Sequence, residues 1–121
     1  MDINLINKAL KYLLNVEVGS NSNGEYIRFP FGLQICWGVI ETVITNGYVS
    51  INYPASFTDN PTATFSVCYA SNESSVRRVA YTTSLSVYND SLSAYVRDAN
   101  SPSERPAGNI RVNYIVIGKW K

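Results

Sequence analysis

Histidine is absent from this 121-residue chain, and cysteine occurs only twice. Without an imidazole, no Ser-His-Asp or Cys-His arrangement can be assembled. Cys36 and Cys68 lack the Cys-x-x-Cys spacing from which a zinc site is built, so no metal and no cofactor is expected. They read as free thiols rather than a disulfide staple. Charge is scarce as well: charged residues make up 16% of the chain and the net charge is +1. That leaves no basic footprint for nucleic acid or for an anionic membrane, and the one adjacent basic pair is Arg77-Arg78. No apolar run reaches membrane-spanning length. Lys8 and Lys11 interrupt the N-terminal apolar pattern, so no signal peptide is expected. There is no repeat period, which argues against a long β-helix. The nine carboxylates are scattered; Asp90 and Asp98 flank a single expected strand and sit too far apart for a glycosidase pair. Catalysis is therefore not expected.

Aromatic and small polar residues are plentiful. Nine tyrosines, four phenylalanines and two tryptophans stand among many Ser, Thr and Asn, the mixture of a strand-rich domain with polar loops. Its length suits one domain. Residues 2–16 have helical spacing, with Ile3, Ile6, Leu10 and Leu13 at a, d, a and d of a heptad and Asp2 as N-cap. Leu5, Ala9, Tyr12 and Leu14 broaden that apolar face. A helix this short needs cover, either from its own domain or from other helices in a bundle or coiled-coil stem. The expected organisation is a helical segment over 1–18, a polar hinge over 19–24, and a strand domain over 25–121.

Beyond residue 24 the period becomes two. Strands are expected at 25–29, 33–40, 47–53, 63–69, 76–88, 92–97 and 110–118, with a break in the fifth conceivable near Thr83. Asn46-Gly47 signals a tight hairpin, while Pro54, Pro61, Pro102 and Pro106 mark two longer loops. About seven short strands, no second helix and frequent turns predict an all-β fold: an antiparallel β-sandwich preceded by a short N-terminal helix.

Two segments carry a resemblance. Residues 26–38 read as two strands about a Pro30-Phe31-Gly32 turn, and residues 112–120 form a hydrophobic run ending in Ile117-Gly118-Lys119-Trp120. With Gln34, Trp37, Gly38, Ile117 and Gly118 in the matching places, the chain resembles the gp53-like C-terminal domain of bacteriophage tail fibres, related in fold to the H-type lectins. The resemblance implies a homotrimer at the distal end of a fibre in the virion, assembled in the host cytoplasm beside other tail proteins. It implies attachment to bacterial surface polysaccharide or lipopolysaccharide, or, as second choice, an outer-membrane protein. The five matching residues are scaffold positions, and the family's sugar-binding positions have no counterparts here that can be laid down one by one.

Strand parity suggests a binding end. If the helix enters at one pole, the connections at 30–32, 54–62 and 89–91 fall at the far pole, unless the 76–88 segment reverses at Thr83. There Tyr88 would stack on a pyranose face, Asn89 would exchange hydrogen bonds with hydroxyls, and Asp90 and Asp59 would accept them, beside Phe57 and Asn60. The plainer reading is that 89–91 is simply a turn. Trp37 and Gly38 are expected to serve packing, Trp37 by covering core. Trp120 has three open roles: sealing the core, packing across subunits or stacking on ligand. Arg97 and Arg111 are open between solvated face, intersubunit ion pair and ligand contact. The alternative to a receptor-binding tip is a structural trimerisation or capping module without host contact.

Overall fold

The computed structural model describes residues 2–44, 47–69, 80–98 and 108–121. One helix, α1 (Ile3–Leu14), precedes eight strands: β1 (Glu17–Asn21), β2 (Gly24–Arg28), β3 (Leu33–Ile44), β4 (Tyr48–Asn52), β5 (Thr62–Tyr69), β6 (Ala80–Val87), β7 (Ser91–Asp98) and β8 (Gly108–Lys119). The expected loops at 70–75 and 99–107, with Asn46 and residues 76–79, lie outside the described residues.

Asp2 caps the helix: its Oδ1 accepts the Asn4 amide at 2.9 Å, and its carbonyl accepts the Ile6 amide. The described side chains at its start are largely in solvent, with Ile3 at 69% and Leu5 at 66% exposure. Among the described residues, α1 makes no extensive contact with any strand. The side chains of Leu10 and Leu13 lie outside the described set.

The strands form two antiparallel sheets. The larger, sheet A, has the order β1-β2-β3-β8-β5, and the smaller, sheet B, has β4-β7-β6. The spine of sheet A is the β3–β8 pair, in register from Leu33 opposite Lys119 to Ile44 opposite Gly108. Alternation selects the core. Ile110, Val112, Tyr114 and Val116 of β8 and Cys36 of β3 meet Leu92 and Val96 of β7 and Val49 and Ile51 of β4, all buried.

One expectation about the strands needs correction. Residues 19–24 are not a hinge: Gly19, Ser20 and Asn21 pair with Tyr26, Glu25 and Gly24, closing a β1–β2 hairpin. The Asn23 amide donates to Asn21 Oδ1 at 2.9 Å, and Gly24 takes φ +148. An added Cβ on Gly24 would strike the Trp37 carbonyl and the Tyr114 hydroxyl, so glycine is what lets the turn sit against β3. The fifth expected strand runs on past Thr83 over its described part. The strand does not reverse there; it carries a bulge between Thr82 and Ser84, and Thr83 Oγ1 donates to the Tyr95 carbonyl at 3.2 Å.

Candidate functional site

The connections at 29–32, 53–61 and 88–90 meet at one end of the sandwich. The Tyr53 amide donates to the Asp90 carbonyl at 2.9 Å and the Phe57 amide to the Asn89 carbonyl at 2.8 Å. The Thr58 amide donates to the Lys119 carbonyl at 2.8 Å, and the Trp120 amide to the Gly32 carbonyl at 3.0 Å. Tyr88, Asn89, Asp90, Asp59 and Asn60 are exposed there. Phe57 is not. It is 4% exposed, meets Tyr53 edge-on at 5.6 Å and lies against Gly118, so its place is in the core and not on a receptor surface.

This end is the one where the helix enters, opposite to expectation. Glu17, three residues after α1, pairs with Arg28, the last residue before the 29–32 turn. Asn15 and Val16 line a cleft of about 220 Å³ with Arg28, Pro30, Trp120 and Lys121. The extra strand β1 explains the reversal, because each antiparallel strand inverts the direction of the chain. The Asn23-Gly24 dipeptide, a hairpin signal, was the available clue.

Arg28 organises this end. Its Nε donates to Gln34 Oε1 at 2.6 Å, and its Nη1 lies 3.3 Å from Glu17 Oε2. The guanidinium sits 5.4 Å from the Tyr26 ring centroid and 5.1 Å from that of Trp120. Trp120 is fixed by its own Nε1, which donates to the Phe29 carbonyl at 2.8 Å. Gln34 is fully buried, and its Nε2 donates to the Ala55 and Ser56 carbonyls, each at 3.2 Å. A buried amide with its partners in place ties the 53–61 loop to β3. Beside it, burial pushes the Cys36 thiol up to about 11. Cys36 and Cys68 are both free thiols.

The outer faces of the two sheets differ. On sheet A the row Val18, Ile27, Ile35 and Ile117 crosses four strands in register. Beside it a largely apolar groove of about 610 Å³ is lined by Trp37, Val39 and Ile115, with Glu25, Thr64 and Asn113 at its rim. Val39 is 64% exposed and Ile115 50%. Trp37 thus faces outward into this groove and does not cover the core, since its neighbour Cys36 takes the inward position. Arg111 on the same face pairs with Glu41, Nη2 to Oε1 at 2.8 Å. The outer face of sheet B carries tyrosines and hydroxyls instead, with Tyr48 and Tyr95 ring centroids 5.4 Å apart. Among the described residues, no group of three or more Cys, Asp or Glu side chains is placed to hold a metal ion.

No family model matches the chain, and no curated protein matches it. Two solved structures share its fold. One is the C-terminal part of the R1 pyocin fibre of P. aeruginosa, at 12% identity and a TM-score of 0.58. The other is the corresponding part of the R2 pyocin fibre, at 10% identity and a TM-score of 0.57. Each match covers 98% of this chain and about a third of the other, 32% and 30% respectively. At this identity the likeness establishes the fold, an all-β sandwich behind one short helix.

Proposed function

We propose that this chain is the receptor-binding tip of a tail fibre of phage or pyocin type, acting at the end of the tail as a homotrimer and attaching to a bacterial surface glycan. The observation that carries the reading is the fold match over 98% of the chain to fibre C-terminal parts. The helix and the outer face of sheet A supply the self-association: both are apolar, both lack cover among the described residues, and a small subunit gains core by sharing such surfaces. Three weak glycan contacts held on one axis then act together, because the second and third form at high local concentration. Tyr88, Asn89, Asp90, Asp59 and Asn60 contribute on the helix-proximal side. The receptor is polysaccharide or lipopolysaccharide, ahead of an outer-membrane protein, and no catalytic step is required.

The test is adsorption of labelled protein to susceptible cells and to the same cells stripped of surface polysaccharide. Retention on intact cells alone is expected. Equal retention on both would remove the glycan as receptor, and no retention on either would remove the tip assignment. The second reading, a trimerisation or capping module, draws on the 88–90 turn: its carbonyls hold the 53–57 segment and it lies where the helix enters. Under that reading, substitutions at Tyr88 and Asn89 alter solubility and leave adsorption at the parental level.

A further inference from the structure

The outer face of sheet B differs in chemistry from that of sheet A. Leu92, Ala94 and Val96 of β7 and Val49 and Ile51 of β4 fill the core, so Ser91, Ser93, Tyr95 and Arg97 point outward beside Tyr48, Ser50 and Asn52. On β6, Ser84 and Ser86 stand opposite Tyr95 and Ser93. The bulge at Thr83 changes the parity of the strand and brings Tyr81 opposite Arg97, on this same face. Tyr48, Tyr95 and Tyr81 are 47%, 44% and 39% exposed.

We propose that this face is a second glycan subsite, beyond residues 59–60 and 88–90, taking an extended acidic saccharide along β4, β7 and β6; the assignment rests on the receptor-tip reading above. Tyrosine rings offer broad, stiff, amphipathic contact at small entropic cost, and their electron-rich faces suit the C–H face of a pyranose. Serine and asparagine between them exchange hydrogen bonds with sugar hydroxyls. Among the described outward residues of the three strands there is no aliphatic side chain to anchor a protein partner. There is also no carboxylate, while Arg97 supplies a guanidinium suited to a uronate or similar acid. From Ser91 to Arg97 the face runs about 20 Å, enough for several sugar rings. Tyr48, Tyr81 and Arg97 lie at the end of the sheet opposite the 88–90 turn, and so away from the helix.

The test uses the full chain on an array of acidic and neutral bacterial polysaccharides, with the double variant Tyr48→Thr, Tyr95→Thr and the single variant Arg97→Gln. Threonine keeps strand propensity at exposed positions, so melting temperature and assembled mass are expected to hold. The wild type should bind acidic polysaccharides. The double variant should lose at least about tenfold in affinity, and Arg97→Gln should lose binding together with its salt dependence. Amide-shift mapping on the unsubstituted chain with the bound polysaccharide should place perturbations along β4, β6 and β7. Full binding by both variants, or shifts confined to sheet A or to residues 57–60, would overturn this site and leave the receptor-tip reading standing. Binding restricted to neutral glycans would overturn the acidic assignment. Adsorption that persists on polysaccharide-stripped cells but is lost in the double variant would make the partner a protein and overturn the glycan. Absence of binding to every polysaccharide and to intact cells would overturn both readings.

Discussion

At the scale of single residues, alternation separated most inward from outward side chains, and the exceptions are instructive. Phe57 lies in an irregular loop, where no period marks which way a side chain points. Its burial follows from backbone bonds to Asn89 and from packing under Gly118, contacts made far away in sequence. Tyr53 is the other informative residue of that loop. Its ring packs edge-on to Phe57 at 5.6 Å and tilts against Tyr114 at 6.5 Å, yet its buried hydroxyl makes no well-formed hydrogen bond among the described residues, its interaction with the Tyr88 backbone falling short of one. Leaving such a group unpaired costs about 1–3 kcal/mol. Tyr53→Phe keeps the ring and removes the cost, so it should stabilise the fold by about 1 kcal/mol and raise the melting temperature by about 3–6 °C. Calorimetry is the check; a lower melting temperature would mean that the hydroxyl is satisfied in solution.

Among the elements, the strands were the most legible in the sequence. β8 shows why: Ile110, Val112, Tyr114 and Val116 alternate with Arg111 and Asn113, and the burial follows that pattern residue by residue. β1 was missed because Gly19-Ser20-Asn21 has the composition of a loop, and its pairing with β2 outweighs that weak propensity. The helix was legible from its N-cap and its heptad spacing, but those features do not say what covers it. As α1 makes no extensive contact with either sheet among the described residues, substituting Ile6→Asp with Leu10→Asp should change the melting temperature of the sandwich within the range of ordinary surface substitutions, about ±0.5 kcal/mol in stability. If the proposed homotrimer forms around the helix, sedimentation of the same variant should show a mass falling from three times the 13.4 kDa chain toward a single chain. An unchanged mass would assign assembly to the outer face of sheet A alone. A large fall in stability would mean that the helix packs on its own sandwich.

For the whole molecule, acid and base responses are asymmetric. No histidine is present to titrate near neutrality. Burial pushes Cys36 from 9.0 to about 11 and Tyr53 and Tyr114 from 10.0 to about 12. All three are neutral groups held more strongly in the protonated form by the folded state, so the unfolded chain releases those protons first. The linked stability is fully present below about pH 9, decreases as the unfolded groups ionise, and is lost as pH rises through the folded values. The melting temperature should therefore be level from about pH 6 to 8.5 and decline above that, with Cys36→Val delaying the first part of the decline. A profile still level at pH 11 would contradict the burial of these groups.

Local chemistry in the sequence determined the fold class, the alternation of core and surface, the capped helix and the exclusion of histidine chemistry. Each follows from neighbouring residues, whose spacing alone decides which way side chains point. Tertiary structure decided the rest. Whether Gly19 to Gly24 is a hinge or a hairpin depends on hydrogen bonds to another strand, and that one outcome moved the helix to the end shared by Tyr88 and Asp59. Trp37 and Ile117 came to face outward because β3 and β8, some eighty residues apart, pair in one particular register. Tyr81 joined Tyr48 and Tyr95 only through a bulge, an extra residue whose position is defined by the partner strand and not by the sequence around Thr83.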